Sequence, residues 1–297
     1  MISDRPKTEL ERVGYARPMT TDNSRPVFIV STGRAGSMMM AKVLAMHQDL
    51  LVLHEPLPHL NVEAFSHWKG RHQVQRLRKR VKRKRSSLIA QSDWNRCTYV
   101  ESSHYSAHLI RDLHNLFDAR FIHLYRDGRS FVRSGLERGW WYPESYGDVF
   151  KRSPLGGFWE REILDRARRM LLLDVGFSWS DHRLDPPSRF GGRLEKISWL
   201  WAEINRSILN QLADFPDEMY TSLALEEFSE ETLESVLDFV GVRTKSSVLH
   251  QMMRTARKRP NQTKKQTVPN FDSWSEEDKS TFREIAGPMM RQLGYTL

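Results

Sequence analysis

Cysteine is almost absent: Cys97 is the single one in 297 residues, which excludes an internal disulfide and any multi-cysteine metal site. No apolar run approaches the length of about 18 residues that marks a membrane-spanning helix. The first 25 residues are polar and lack the apolar core of a secretory leader. These absences lead us to expect a protein of a reducing, cytoplasmic compartment with no transmembrane segment. Metal ligation is also poorly provided for. His104 and His108 are spaced i, i+4, but HExxH is missing, so no metal is expected. Glycine and proline, 16 and 13 in number, nowhere gather into a linker that would separate two domains. What is present suits a packed globule: 39% of the residues are hydrophobic and 10% aromatic, too many for a disordered chain.

Basic residues outnumber acidic ones, 46 to 37, for a formal charge of +9. The excess is local. Residues 76–85 read RLRKRVKRKR, with eight cations and no acid, and without them the two signs nearly balance. A second stretch, 254–265, carries Arg254, Arg257, Lys258, Arg259, Lys264 and Lys265, and without both stretches the remainder is slightly acidic. Such runs point to an anionic ligand only weakly. The 76–85 run is expected to be a basic lid or insertion near the substrate cleft. The plainer alternative is a helix docked through Leu77 and Val81, which are spaced i, i+4. No nucleic-acid-binding motif accompanies it.

Apolar runs at 27–30, 50–53, 98–100 and 120–124 read as short buried strands, each followed by a loop and, in most cases, a helical pattern. Residues 219–225 suit a further strand, and 107–117, 158–173, 194–212, 230–240 and 276–293 suit helices. Strand–loop–helix repeated in this way predicts an α/β fold with a central, mainly parallel sheet flanked by helices and a helical C-terminal portion. We expect a polar N-terminal extension over 1–25 and a single α/β domain over 26–297.

Two segments carry chemistry. Ser31-Thr32-Gly33-Arg34-Ala35-Gly36-Ser37 joins the first strand to a helix, where backbone N–H groups and the helix N-terminus favour a phosphate. It is not the nucleotide P-loop GxxxxGK[ST]. Taken alone, the two glycines fit an ordinary turn equally well. The second segment, Arg126-Asp127-Gly128-Arg129 through Ser134, places an arginine at a strand end and a serine eight positions later, just over two helical turns on.

Together the two segments resemble the sulfotransferases that use 3′-phosphoadenosine 5′-phosphosulfate, a family with a three-layer, P-loop-like fold. The resemblance implies that Thr32, Gly33, Arg34, Ala35, Gly36, Ser37 and Met38 bind the 5′-phosphosulfate. It also implies that Arg126 and Ser134 bind the 3′-phosphate, and that no catalytic metal is required. Weaker likenesses extend through Leu225-Glu226-Glu227-Phe228 to Leu293-Gly294-Tyr295. Met38 stands where many members have threonine, and Gly128 where proline is common. Arg34 is the candidate for stabilising the leaving group. Glu55, at the end of the second strand, is the first candidate for general base, by resemblance to carbohydrate-acting members, and His104 is its rival. The expected reaction is sulfuryl transfer to a hydroxyl of a glycan, glycolipid or other metabolite. An atypical P-loop kinase and a non-catalytic nucleotide- or polyanion-binding protein are the alternatives. The Trp140-Trp141-Tyr142 cluster suits either stacking on a sugar or base, or core packing. Asn261, Lys264 and Lys265 fall where a loop closes over the nucleotide in many sulfotransferases.

Overall fold

The computed structural model describes residues 25–57, 74–94, 96–138, 140–141, 186–258 and 267–297. The expected helix at 158–173, nearly all of the N-terminal extension, and Tyr142, Asn261, Lys264 and Lys265 lie outside the described residues.

Five strands form one sheet: β1 (Val27–Val30), β2 (Leu50–His54), β3 (Thr98–Ser102), β4 (Arg120–Tyr125) and β5 (Tyr220–Ala224). Their order is β2-β3-β1-β4-β5, and every neighbouring pair is parallel. The eight helices among the described residues are α1 (Ser37–Leu44), α2 (Val74–Trp94), α3 (Ile110–Phe117), α4 (Gly128–Glu137), α5 (Arg193–Leu212), α6 (Glu230–Val240), α7 (Ser246–Arg257) and α8 (Glu276–Gln292).

The strand sequences explain the layers. In β1 all four residues are fully buried, as a strand covered on both faces must be. Phe28 and Val30 enter one core, with residues of α2, α3, α4, α5 and α8. Val27 and Ile29 enter the other, with α1, α6 and α7. That alternation follows from the two-residue period of a strand. The helix after β1 therefore covers one face and the helix after β4 the other. Their strands are adjacent, so a crevice opens between them at the carboxyl ends, where open parallel sheets bind ligands.

Helix α7 is not among the helices expected from the sequence, and only its last turn overlaps the basic stretch 254–265. Leu249, Met252, Met253 and Ala256 line its buried side, a full helical stripe beneath cations at the end. In α2, Leu77, Val81 and Arg85 are buried at successive four-residue steps, while Lys79, Lys82, Arg83 and Lys84 are exposed. The 76–85 run is thus one part of a 21-residue helix lying on β3 and α3.

Candidate active site

The loop after β1 is bent by backbone that few residues adopt. Gly33 (φ 76°), Arg34 (φ 55°) and Gly36 (φ 89°) all lie in the left-handed region. A left-handed residue beside a right-handed one, as in a tight turn, curls successive N–H groups toward a common concavity. Gly36 is the N-cap of α1 and has no side chain to cap it, and the first turn contains no acid. The opening N–H groups of Ser37, Met38 and Met39 have no partner within the helix by its geometry, and they favour an anion. From β3, Ser102 Oγ donates to Ser37 O (3.1 Å) and steadies the helix start.

Arg34 reaches across the crevice. Its Nε donates to Ser134 Oγ on α4 at 3.1 Å, and Arg126 Nη1 donates to the Arg34 carbonyl at 3.2 Å. Residues 92 and 100 positions apart in the chain are thereby joined. Burial, with the nearby charges of Arg138 and Arg126, pulls the Arg34 guanidinium down to about 10. Burial also lowers Arg126, against the attraction of Glu226 and Asp127. An anion between two cations held this close would relieve their repulsion. Arg126 Nε is buried and makes no hydrogen bond, an orphaned donor of the kind that marks a ligand position.

The ion-pair partner of Arg126 is Glu226, 3.9 Å away. Its neighbours in sequence are otherwise engaged: Asp127 is bonded by Arg129 through both carboxylate oxygens, and Glu137 lies 3.8 Å from Arg133. Asp127 also caps α4 by accepting from Arg129 N. At Gly128, where a proline is common in the resembled proteins, a Cβ would stand 3.0 Å from the Trp201 ring. Trp201, fully buried on α5, donates its indole N–H to Arg126 O (3.0 Å). The glycine thus admits the tryptophan that holds the Arg126 backbone.

Glu55 and His104, rivals in the sequence, are hydrogen-bonded partners. His104 Nδ1 and Glu55 Oε1 are 2.6 Å apart, and both side chains are about a third exposed, 29% and 31%. Glu55 sits just past β2 at φ 48°, a costly conformation for a residue with a Cβ. Its N–H donates to Ser102 O (3.0 Å), continuing the sheet pairing. Burial pushes the Glu55 carboxyl up. The hydrogen bond from His104 and the positive potential of His104 and His54 outweigh it and hold the group below the usual carboxylate range. A Cβ at Gly33 would lie 3.5 Å from the His104 ring, so the pair flanks the loop after β1.

Arg34, Glu55, His104, Arg126 and Ser134 thus gather at the carboxyl edge of the sheet. Sequence reasoning missed Glu226 as the partner of Arg126 and Trp201 as the residue that holds the Arg126 backbone. Glu226 stood in a segment noted only for its likeness and Trp201 has no local signature; each comes into place through β5 or α5. Of the Trp140-Trp141 pair, Trp140 packs edge-on against Phe131, centroids 5.5 Å apart. Among the described residues, no three or more His, Cys, Asp or Glu side chains gather to hold a metal ion, and no helix is long and apolar enough to cross a membrane.

No protein-family model matches the chain, and no curated protein does. Solved structures do. A sulfotransferase domain from the curacin biosynthetic pathway is similar over 92% of this chain and 98% of its own, at a TM-score of 0.50 and 16% identity. A sulfotransferase domain of the Synechococcus PCC 7002 olefin synthase matches over 92% and 95%, at 0.48 and 15%. A sulfotransferase from Alicyclobacillus acidocaldarius matches over 92% and 97%, at 0.48 and 12%. The chain has the sulfotransferase fold: a mixed α/β architecture built on a five-stranded, all-parallel sheet flanked by helices.

Proposed function

We propose that this protein is a sulfotransferase that moves a sulfuryl group from 3′-phosphoadenosine 5′-phosphosulfate to a hydroxyl of a glycan, glycolipid or other metabolite. The observation that carries the reading is the Arg34–Ser134 contact. It brings the 5′-phosphosulfate loop and the 3′-phosphate segment to one point, as a nucleotide bearing both groups requires. The site chemistry fits such a donor: two guanidinium groups, the orphaned Arg126 Nε, the Ser37 and Ser134 hydroxyls and an open helix N-terminus. The donor supplies an activated sulfuryl group whose S–O bond to phosphate breaks as the new one forms.

The protein's part is positioning and charge. Arg34 and the N–H groups from Ala35 to Met38 meet the negative charge growing on the leaving phosphate. Arg126 and Ser134 grip the 3′-phosphate. Glu55 and His104 act as a unit. The carboxylate accepts the Nδ1 proton of His104, so the acceptor's hydroxyl proton goes to Nε2 and the carboxylate steadies the charged ring. A carboxyl held low, with one oxygen already engaged, is the poorer immediate base.

Titration with adenosine 3′,5′-bisphosphate and ADP tests the donor reading. The bisphosphate is expected to bind tighter, with the preference lost in Arg126→Ala; equal binding of ADP sinks the reading and favours an atypical kinase. In labelled-sulfate transfer, His104→Ala and Glu55→Gln are each expected to lower kcat by about 100-fold or more. Full transfer by His104→Ala removes the ring from the mechanism.

A further inference from the structure

Glu226 lies in the short turn Leu225–Glu227 directly after β5. Because Tyr125 pairs with Ala224 in parallel, this turn stands beside Arg126 and Asp127 at the mouth of the crevice. Two donors hold its carboxylate: Asp127 N–H to Oε1 at 3.3 Å and Tyr295 O–H to Oε2 at 2.8 Å. Tyr295, near the end of the chain, is itself fixed edge-on to Tyr125, with ring centroids 6.0 Å apart at 86°. The same Oε1 is 3.9 Å from Arg126 Nε, too far for a hydrogen bond but close enough to attract the guanidinium.

A lone carboxylate beside an arginine is a mobile counterion that an incoming phosphate displaces. This one is tied from both ends and stays in place. Arg126 is then held at two points, by Glu226 on the Nε side and by the Arg34 carbonyl at Nη1. Long guanidinium side chains lose much rotamer freedom on binding, and a group already fixed loses less.

We propose that Glu226 and Tyr295 are positioning residues for the 3′-phosphate: Tyr295 fixes Glu226, and Glu226 fixes the Arg126 guanidinium, so this pair sets the preference for a 3′-phosphorylated nucleotide. The inference rests on the donor reading above. It concerns discrimination, since the contacts of Glu226 run to Arg126 and Asp127, on the side of the crevice assigned to the 3′-phosphate.

The test compares adenosine 3′,5′-bisphosphate with AMP, which differs only in lacking the 3′-phosphate, by calorimetric titration of the full chain. Tyr295→Phe keeps the ring and removes one hydroxyl; Glu226→Gln keeps the shape and removes the charge. Each is expected to weaken the bisphosphate by about tenfold, the scale of one hydrogen bond to a charged group, and to leave AMP unchanged. A wild-type preference that survives both substitutions overturns the inference alone. So does equal weakening of both nucleotides, which marks a structural role, or tighter bisphosphate binding by Glu226→Gln, which marks simple repulsion. Absence of any preference in the wild type overturns the donor reading and the inference with it.

Discussion

At Gly36, backbone angle and packing impose the same requirement. Its φ of 89° lies where a Cβ is strained, and a Cβ there would come within 2.6 Å of Leu225 Cδ1. Gly36→Ala is expected to cost about 2 kcal/mol of stability, measured by urea unfolding, and to abolish adenosine 3′,5′-bisphosphate binding. An alanine variant that binds normally removes the loop from the donor site. Sequence alone marks this glycine as part of a turn, since spacing shows where the chain must bend. It does not show the partner across the crevice. Glu55 and His104 are a sharper case: 49 residues separate them, and each reads as a lone candidate base until β2 and β3 pair in register. Their combination comes from the strand pairing His54 with Ser102.

Helix α2 shows how one element can mislead at the level of composition. Its cations looked like a solvated or ligand-binding run, yet Arg85 is buried (4% exposed) against Glu101 (0%) on β3. Arg85 Nε and Nη2 both bond that carboxylate, and Tyr99 O–H donates to it at 2.8 Å. The hydrophobic spacing of Leu77 and Val81 was legible; that the next position in the stripe is an arginine with a buried partner was not. Removing one member of such a pair strands the other's charge. Arg85→Met is expected to destabilise the protein by about 3 kcal/mol or more, whereas Lys82→Ala, on the exposed face, is expected to change little. Joint replacement with Glu101→Leu should recover much of the loss, because then no charge is left buried. Chemical denaturation of the four proteins reads all of these differences. Arg85→Met with full stability would show that the pair contributes nothing.

For the molecule as a whole, acid stability follows from His123 on the interior strand β4. Burial pulls this histidine down to about 4 from 6.5, although its bond to Asn205 Oδ1 (3.1 Å) works the other way. The folded protein therefore resists protonation that the unfolded chain accepts. The stability concerned is complete above pH 6.5 and is lost as pH falls toward 4, on the order of 3 kcal/mol. The urea midpoint is expected to drop from pH 7.5 to 5, and to drop less in His123→Gln; the same fall in both would acquit His123. By itself, the sequence determined the α/β class, the parallel strands and the glycine turn after β1, because two-residue and 3.6-residue periods and short glycine turns are local properties. It also supplied Arg34, Arg126 and Ser134, by likeness to known motifs. Only the tertiary structure decided which groups act together. Arg34 against Ser134, Glu55 against His104, and Tyr295 through Glu226 against Arg126 are contacts between segments far apart in the chain, gathered near the carboxyl ends of separate strands. Their meeting depends on strand order and register, which are set by burying both faces of the sheet at once.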